Sequence, residues 1–413
     1  MSKIISRIKE DLSILEGNLL ILIISWILMH FGNGMAYPFQ SPYIQELGAS
    51  PTIIGFIWSI GLIILFFVRI PGSYIADRYG RRRIIVLMTY GVALSYVFYV
   101  IAPDWRFILI GVVSMNLCLI YQPALEAITA DSIPPDKRGL GFALTRIVPE
   151  AVEIVSPFIG GYITYKLGLV SGMRIIYTAI VILSISAASI RYAFLKETLD
   201  VKSRDTHLSL KNLYIESVKS LIEAWKEAPK TLKYLTVVLM LSSFEDPIYM
   251  NFASLYVLEK IKVTELEWGG VNTLFAISSL IAGIPMGKLV DKIGRRNSIV
   301  VSYIIFTPLT LWFIYSHSAV ELAIIFIGYG IGSILIGPAF NALTADLVPK
   351  ELRGRVMGAI GNLNILASAV SSMISGILYD LDPALPFFMS LAIGITCLSM
   401  VMLLIKEPRR RID

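Results

Sequence analysis

Charged residues are scarce in this chain of 413 residues. Asp, Glu, Lys and Arg together make up 16% of it and hydrophobic residues 56%, whereas soluble domains average about 25% charged and 45–50% apolar residues. Such a composition excludes an intrinsically disordered chain and a typical soluble enzyme. It predicts instead a protein that crosses the membrane many times.

Cysteine and histidine are scarce as well. The two cysteines, Cys118 and Cys397, lie in long apolar runs, which favours free buried thiols over a disulfide framework. The three histidines form no metal-spaced set with them, and no glycine-rich nucleotide loop is present. The sequence therefore predicts no metal and no cofactor, and it argues against a membrane-bound enzyme.

Twelve apolar segments are long enough to cross a bilayer, which takes about 20 mostly apolar residues. The first six are 19–45, 52–76, 84–102, 107–130, 140–165 and 172–195. The last six are 232–258, 268–290, 298–315, 320–345, 356–379 and 385–405. The predicted fold is an all-α membrane protein with twelve transmembrane helices.

These spans divide the chain into predicted domains. The two six-helix bundles are 19–195 and 232–405, and a basic tail follows at 406–413. Residues 1–18 are predicted to form an amphipathic helix on the membrane surface. The central loop, 196–231, carries apolar residues at helical spacing, which indicates one or two amphipathic surface helices or, alternatively, a solvated linker.

Most of the 36 Lys and Arg residues lie in alternate connections and near the ends of the chain. The loop clusters are at 78–83, 137–138, 288–296 and 350–355. Because cytoplasmic loops are enriched in Lys and Arg, this asymmetry predicts a multi-pass cell-membrane protein with both termini in the cytoplasm. The net charge of +6 is then an orientation signal, and it gives no argument for a nucleic-acid partner.

Two blocks of the chain repeat at a nearly constant offset. Residues 123–131, PALEAITAD, match PAFNALTAD at 338–346, and DRYGRR at 77–82 matches DKIGRR at 291–296. Repeats of this kind indicate two halves with the same topology, and thus two pseudo-symmetric bundles. Parallel repeats of this type are a common architecture of secondary transporters.

The repeated loop carries a family resemblance. Residues 287–296, GKLVDKIGRR, fit the signature G-x-x-x-[DN]-[RK]-x-G-R-[RK] of the major facilitator superfamily. The first copy resembles it with one departure, since Ser73 stands where Gly is expected. The resemblance implies the fold of this superfamily, a monomer, and a small-molecule substrate that binds between two rocking halves.

The resemblance also implies a gating role for the loop. Its expected gating residues are Asp77, Arg78, Gly80, Arg81, Arg82, Asp291, Gly294, Arg295 and Arg296. A carboxylate near a helix N-terminus gains about 0.3–1 kcal/mol, enough to bias an equilibrium between two states. The alternative is that the loop only anchors the chain through its positive charge.

A second repeated turn carries an acid and a base in each half. Asp131 with Arg138, and Asp346 with Arg353, flank the turns that follow the fourth and tenth spans. These four residues are expected to act as structural clamps.

Ionisable residues within the spans are costly, at about 2.5–3.5 kcal/mol each at the centre of a span. In the fifth span, Arg146, Glu150 and Glu153 are spaced to share one helix face. The acids are predicted to bind protons or a cationic solute. The alternative is an internal ion pair, of Arg146 with Glu150 or with Glu126 in the fourth span.

The seventh span carries two adjacent acids, Glu245 and Asp246, near its middle. Asp246 is the preferred proton-binding candidate, because it corresponds to Asn33 in the first span. Arg191 lies near the end of the sixth span and is expected to extend to the membrane surface.

Uncharged polar residues complete the candidate site. In the superfamily the first, fourth, seventh and tenth helices line the cavity, and the candidates in them are His30, Asn33, Gln122, Asn251 and Asn341. His30 is a candidate because histidine is the side chain best suited to proton exchange, although a structural hydrogen bond is the alternative role for a single histidine in a span.

The predicted function is secondary active transport of a small organic solute by alternating access, coupled to protons. Uptake and efflux are both open. The alternatives are an uncoupled facilitator of the same fold and a transport-inactive sensor or scaffold. The expected partners are the solute, protons and the lipid bilayer.

Overall fold

The computed structural model describes residues 14–199, 229–348 and 352–406, where the regular secondary structure is helical. The helices before the central loop are α1 (Gly17–Ala36), α2 (Gln40–Glu46), α3 (Pro51–Tyr79), α4 (Arg81–Ser95), α5 (Val97–Val100), α6 (Trp105–Cys118), α7 (Gln122–Asp131), α8 (Arg138–Glu153), α9 (Ser156–Leu167) and α10 (Leu169–Phe194). Those after it are α11 (Lys230–Tyr256), α12 (Glu265–Ile293), α13 (Arg295–Ile314), α14 (Ala319–Asp346), α15 (Arg353–Leu381) and α16 (Leu385–Leu404).

A helical segment is present at each of the twelve predicted spans. In the described part of the chain, nine helices are long and apolar enough to cross a membrane, and α12 is a tenth if its 56° bend lies within one span. The two remaining spans are the fifth, which is broken between α8 and α9, and the seventh, which carries the two adjacent acids. The predicted all-α membrane fold is confirmed.

Contacts divide the described residues into two units. The first unit lies within Met1–Tyr37 and Phe67–Leu213, and the second within Pro38–Phe66 and Tyr214–Asp413. These units differ from the predicted bundles in residues 38–66, which pack with the second half of the chain. Residues 1–13, 200–228 and 407–413 lie outside the described residues, so the amphipathic N-terminus, most of the central loop and the basic tail stay predictions.

Glycines bring the helix backbones of the first unit close together. A Cβ atom on Gly160 of α9 would lie 2.1 Å from the carbonyl oxygen of Met35 in α1. A Cβ on Gly72 of α3 would lie 2.3 Å from the carbonyl oxygen of Ile120. Since lipid gives little hydrophobic drive for helix association, small residues that permit close packing stabilise the bundle.

The second unit has an apolar core between α11, α13, α14 and α16. Its fully buried members include Leu235, Val238, Ile299, Leu343 and Val401. Cys397 also lies in this core, and both cysteines are free, as predicted. Many large apolar side chains elsewhere are exposed, as expected of a surface that faces lipid.

Arg191 lies in the interior of the first unit. Its side chain is fully buried, and its Nε and Nη1 atoms donate hydrogen bonds of 2.9 Å to Ser25 Oγ and Thr89 Oγ1. Both hydroxyls donate in turn to carbonyl oxygens of their own helices, those of Leu22 and Ile85. The prediction that Arg191 extends to the surface was wrong, because the side chain is buried and two of its nitrogens donate to hydroxyls that tie α1, α4 and α10 together.

We expect Gly160→Ala to destabilise the first unit. The added methyl group meets a backbone carbonyl that cannot rotate away, so α1 and α9 must separate at a cost of about 1–3 kcal/mol. The control is Gly361→Ala in α15, where the methyl group meets no atom within 4 Å and helix propensity improves by about 1 kcal/mol. Thermal unfolding in detergent should show a lower Tm for the first variant alone, and equal Tm values would contradict this packing.

Candidate functional site

His30 of α1 and Glu153 of α8 meet inside the first unit. The His30 Nδ1 and Glu153 Oε2 atoms are 2.7 Å apart, and the two side chains remain 43% and 36% exposed. Histidine is the side chain whose charge changes most readily near neutral pH. The first and fifth spans are therefore joined by a histidine–carboxylate contact in which both side chains remain partly exposed.

Glu153 lies where the fifth span is broken. It is the last residue of α8, and α9 restarts at Ser156, with Pro157 unable to donate a backbone hydrogen bond. Gly34 of α1 makes room for the carboxylate, since a Cβ there would lie 2.7 Å from Glu153 Cγ. Broken helices are common at transporter binding sites, because they leave backbone polar groups available.

The other charges of the fifth span form a separate pair on the helix surface. Arg146 Nε donates to Glu150 Oε1 at 2.8 Å, one helical turn away, and both side chains are largely exposed. Glu126 lies instead 3.6 Å from Arg69 of α3. Of the two ion pairs that the sequence allows for Arg146, the structure therefore forms the one with Glu150.

Asn33 and Gln122 differ in their surroundings. The Tyr96 hydroxyl donates a 2.8 Å hydrogen bond to Asn33 Oδ1. Gln122, at the start of α7, is half-buried and forms no side-chain hydrogen bond with a described residue. Sequence reasoning missed Tyr96, since a tyrosine in an apolar run gives no signal of its partner.

The two acids of α11 face different surroundings, as adjacent helix residues must. Glu245 is half-buried, and its Oε1 lies 3.3 Å from the place of a Cβ on Gly394 in α16. Asp246 is exposed and forms no hydrogen bond with a described residue. Of the two adjacent acids of α11, Asp246 is thus the more accessible.

A proline next to these acids opens the backbone of α11. Pro247 has no N–H group, so the carbonyl oxygen of Ser243, four residues earlier, lacks its helical donor. Ser368 Oγ of α15 donates to that oxygen at 2.7 Å, and Ser371 Oγ donates to the carbonyl oxygen of Phe244. The serines of α15 therefore satisfy the irregular backbone beside the acids.

The remaining candidates of the second unit lie apart from the acids. Asn251 Nδ2 donates to Ser372 Oγ at 3.2 Å, and Asn341 of α14 is exposed. A part-buried cluster of three hydroxyls, which the sequence did not indicate, is formed by Tyr249, Thr310 and Tyr329, with oxygens 2.8–3.2 Å apart. In the described residues, no group of three or more His, Cys, Asp or Glu side chains is arranged to hold a metal ion.

The signature loops turn at glycines in both units. Gly80 and Gly294 have φ angles of +90° and +86°, a backbone conformation that side chains disfavour. Arg82 Nη2 donates to the carbonyl oxygen of Tyr192 at 2.6 Å, and Arg296 Nη2 donates to that of Met402 at 2.6 Å. The two copies of the loop therefore bind the end of the last helix in their own half in the same way.

The acids of the second repeated turn have other partners than expected. Asp131 is paired with Arg81, and Asp346 lies 3.4 Å from Arg295 Nε. Arg353 donates instead to the carbonyl oxygen of Val348 at 3.1 Å. In both halves the acid of this turn therefore lies beside the arginine of the neighbouring signature loop, and the clamp role of the four residues stays a prediction.

The remaining members of the second turn and of the loops are on the surface. Arg138 is exposed and forms no ion pair with a described side chain. Arg78 Nη1 lies 3.4 Å from the Tyr74 hydroxyl. Asp291 is exposed and forms no ion pair with a described side chain, and the side chain of Asp77 lies outside the described ones.

A polar cluster lies at the end of the second unit that is opposite its signature loop. Gln45 Nε2 of α2 and the Tyr379 hydroxyl both donate to the carboxylate of Glu259, at 2.6 and 3.1 Å. Asp380 accepts hydrogen bonds from the backbone N–H and the hydroxyl of Thr52 at the start of α3. We refer to Gln45, Thr52, Glu259, Tyr379 and Asp380 as the far-end cluster.

The far-end cluster explains why residues 38–66 pack with the second half of the chain. Trp268 Nε1 of α12 adds a 3.1 Å hydrogen bond to the carbonyl oxygen of Pro38. A Cβ on Gly55 of α3 would lie 2.3 Å from the carbonyl oxygen of Ser372, so α3 and α15 touch at the backbone. Sequence reasoning missed these residues, because acids at span ends are ordinary surface features until their partners are known.

Comparison with known proteins agrees with this architecture. The family model described as Major Facilitator Superfamily matches residues 22–244 and 235–413. An uncharacterised MFS-type transporter of Methanocaldococcus jannaschii is 24% identical over 382 residues, covering 90% of this chain and 91% of that protein. The multi-drug resistance efflux pump PmrA of Streptococcus pneumoniae is 24% identical over 335 residues, covering 78% and 79%.

Solved structures share the fold at low sequence identity. The nucleoside transporter NupG superposes with a TM-score of 0.73 at 14% identity, covering 94% of this chain and 98% of that one. A D-xylose–proton symporter superposes with a TM-score of 0.70 at 14% identity, covering 94% and 97%. With the repeated loops, the helical architecture and a family model that matches nearly the whole chain, this protein belongs to the major facilitator superfamily.

Proposed function

We propose that this protein is a secondary active transporter that exports a small organic solute in exchange for protons. The observation that carries the proposal is the His30–Glu153 pair, with its 2.7 Å contact in two half-exposed side chains. A transporter that uses a proton gradient needs a group that gains and loses a proton as access alternates. A histidine beside a carboxylate at a helix break provides such a group.

The relatives support the class of solute and the direction. Two relatives are named for multidrug resistance. PmrA of Streptococcus pneumoniae is named as an efflux pump, and MdtG of Dickeya zeae is named as a resistance protein. We extend from these names only that the solute is a small organic molecule and that it moves outward.

Asp246 supplies the second proposed element. Its carboxylate is exposed although it lies within a membrane span, and its neighbours Ser243 and Phe244 have backbone carbonyls held by α15. Exposed polar groups in a span face a water-filled path in transporters. We assign Asp246 to solute or proton binding, and the Tyr249 hydroxyl group to the packing behind it.

The far-end cluster is the proposed outer gate. With the basic loops on the cytoplasmic side, where positive charge is retained, both termini are cytoplasmic and the far-end cluster faces outward. Its hydrogen bonds hold the first turns of α3 against the second half of the chain. Opening toward the outside requires them to break.

The signature loops are the proposed inner latches. Each loop is connected to the end of another helix in its own half. The contacts are Arg81 with Asp131 at the end of α7, and Arg295 with Asp346 at the end of α14. This geometry supports a latch in which the arginines, rather than Asp77 and Asp291 alone, position the loops.

We expect Glu153→Gln to uncouple transport from pH. A thermal-shift screen of sugars, nucleosides, organic acids, amines and drugs first selects the solute, whose affinity is then measured at about pH 6 and about pH 8. The wild-type affinity should change with pH, and that of Glu153→Gln should not. In proteoliposomes, a one-unit pH gradient drives about tenfold accumulation per proton in the wild type, and the variant should show none.

Glu150→Gln is the comparison variant for that experiment, since it removes a carboxylate one turn away on the same helix. An equal loss of pH dependence in both variants would assign coupling to the acidic face of α8 rather than to the His30–Glu153 pair. A wild-type affinity for the solute that does not change with pH would favour an uncoupled facilitator. A screen with no hit would favour a sensor or scaffold.

Cross-linking should lock the proposed outer gate. In a background of Cys118→Ser and Cys397→Ser, Gln45→Cys and Glu259→Cys are bridged with a short bis-methanethiosulfonate reagent. Because the two side chains are in contact, cross-linking should be efficient, stop solute transport and be reversed by a thiol reductant. Gln45→Cys alone is the control for modification, and unaltered transport by the bridged protein would refute the gate.

Charge exchange should identify the partner of Asp346. Asp346→Arg places like charges together and should lower Tm and transport, whereas Asp346→Arg with Arg295→Asp should recover both, with a coupling energy of about 0.5–3 kcal/mol. Asp346→Arg with Arg353→Asp is the matched control and should not recover them. Recovery in the control alone would restore the pairing expected from the sequence.

A further inference from the structure

Two shallow cavities, both open to the protein surface, lie at equivalent places, one in each unit. The first, of about 450 Å³, lies between the start of α4 and the end of α10, and includes Arg82 and Lys196. The second, of about 370 Å³, lies between the start of α13 and the end of α16, and includes Arg296 and Lys406. The repeat therefore presents an arginine of the signature loop and a lysine to one cavity in each half.

Each arginine is fixed by the end of a helix. Carbonyl oxygens in the last turn of a helix lack helical donors, and Arg296 donates to two of them, those of Val401 and Met402. Arg82 donates to the carbonyl oxygen of Tyr192 in the same way. Neither Nη1 atom forms a hydrogen bond with a described residue, so each guanidinium keeps donors for another acceptor.

Each lysine follows its helix at the same distance. Lys196 comes two residues after Phe194, where α10 ends, and Lys406 comes two residues after Leu404, where α16 ends. Both lysines are exposed, and neither ammonium group forms an ion pair with a described residue. Two cations therefore border each cavity, one rigid and one on a long movable side chain.

The wall next to these cations is apolar, and its side chains are exposed on the outer surface of the helix bundle. Phe194 is 62% exposed in the first cavity, and Leu403 is 78% exposed in the second. In a multi-pass membrane protein, such side chains at a span end contact lipid tails. Each cavity thus combines a cationic end at the membrane surface with an apolar side in the membrane, an arrangement that fits an amphiphile with an anionic head.

We propose that each half of the protein binds one phospholipid with an anionic headgroup. Its phosphate lies between Arg82 and Lys196 or between Arg296 and Lys406, and its tails lie along the last turn of α10 or α16. Basic cavities between membrane helices are suited to such headgroups. The bound lipid would join α4 to α10 and α13 to α16, adding to the arginine contacts.

The first site is the weaker of the two. The carboxylate of Glu197 borders this cavity and accepts a 2.9 Å hydrogen bond from the backbone N–H of Arg82, so it offsets part of the positive charge. Among the described residues that line the second cavity there is no acid. The next residue along the chain, Glu407, lies outside the described residues.

Native mass spectrometry of the purified full-length chain tests the proposal. The protein is equilibrated with an equimolar mixture of phosphatidylglycerol and phosphatidylcholine in detergent, and retained lipids are counted. We expect up to two phosphatidylglycerol molecules per chain, in preference to phosphatidylcholine. In Lys196→Gln with Lys406→Gln, their affinity should fall by about fivefold per site, as expected for the loss of one cation near the membrane surface.

The matched control is Lys230→Gln with Lys288→Gln, which removes two exposed lysines that line neither cavity. It should retain phosphatidylglycerol as the wild type does. Equal retention of the two lipids by the wild type, or an equal loss in the control, would overturn the proposal. Size-exclusion profiles and Tm values show that each variant is folded, and added phosphatidylglycerol should raise the Tm of the wild type and control but not of the double variant.

Discussion

A bilayer provides no hydrogen-bond partners, and this constraint governs the structure. Backbone polar groups in a span must be satisfied within the protein, so the chain forms helices and interrupts them only where side chains can compensate. The carbonyl oxygen freed by Pro247 accepts from Ser368. Arg191 is buried beside two hydroxyls whose own hydrogens are already donated to backbone oxygens. The proline break in α11 and the buried arginine of α10 are therefore specific arrangements with identifiable partners.

The same constraint separates structural charges from functional ones. Arg191 is fully buried, and the hydrogen bonds of its Nε and Nη1 atoms join three helices. His30, Glu153 and Asp246 remain accessible within spans, although exposure there is costly unless water or a solute reaches the group. The contrast between these two groups is the physical reason for placing proton exchange at the accessible residues.

The two halves share their framework and differ in their chemistry. Each half turns at a glycine with positive φ and pairs its loop arginine with an acid at the end of the span after next. The first unit then carries a histidine–carboxylate pair at a break between helices, and the second carries adjacent acids beside a proline. The repeated blocks of the sequence therefore correspond to a common framework, and the residues that differ between the halves give each unit a different site.

Much of the fold was determined by local sequence. Apolar runs of about 20 residues, the repeated blocks and the alternation of basic loops predicted the all-α membrane fold, the helical segments and the family. These features depend only on the composition of short stretches, because the bilayer selects apolar segments long enough to span it and retains basic loops on the cytoplasmic side. Only the tertiary structure decided which distant side chains meet: His30 with Glu153, Asp346 with Arg295 rather than Arg353, and residues 38–66 with the second half. These pairings depend on the rotation and depth of each helix in its bundle, and both are set by the packing of many side chains at once, which no local pattern contains.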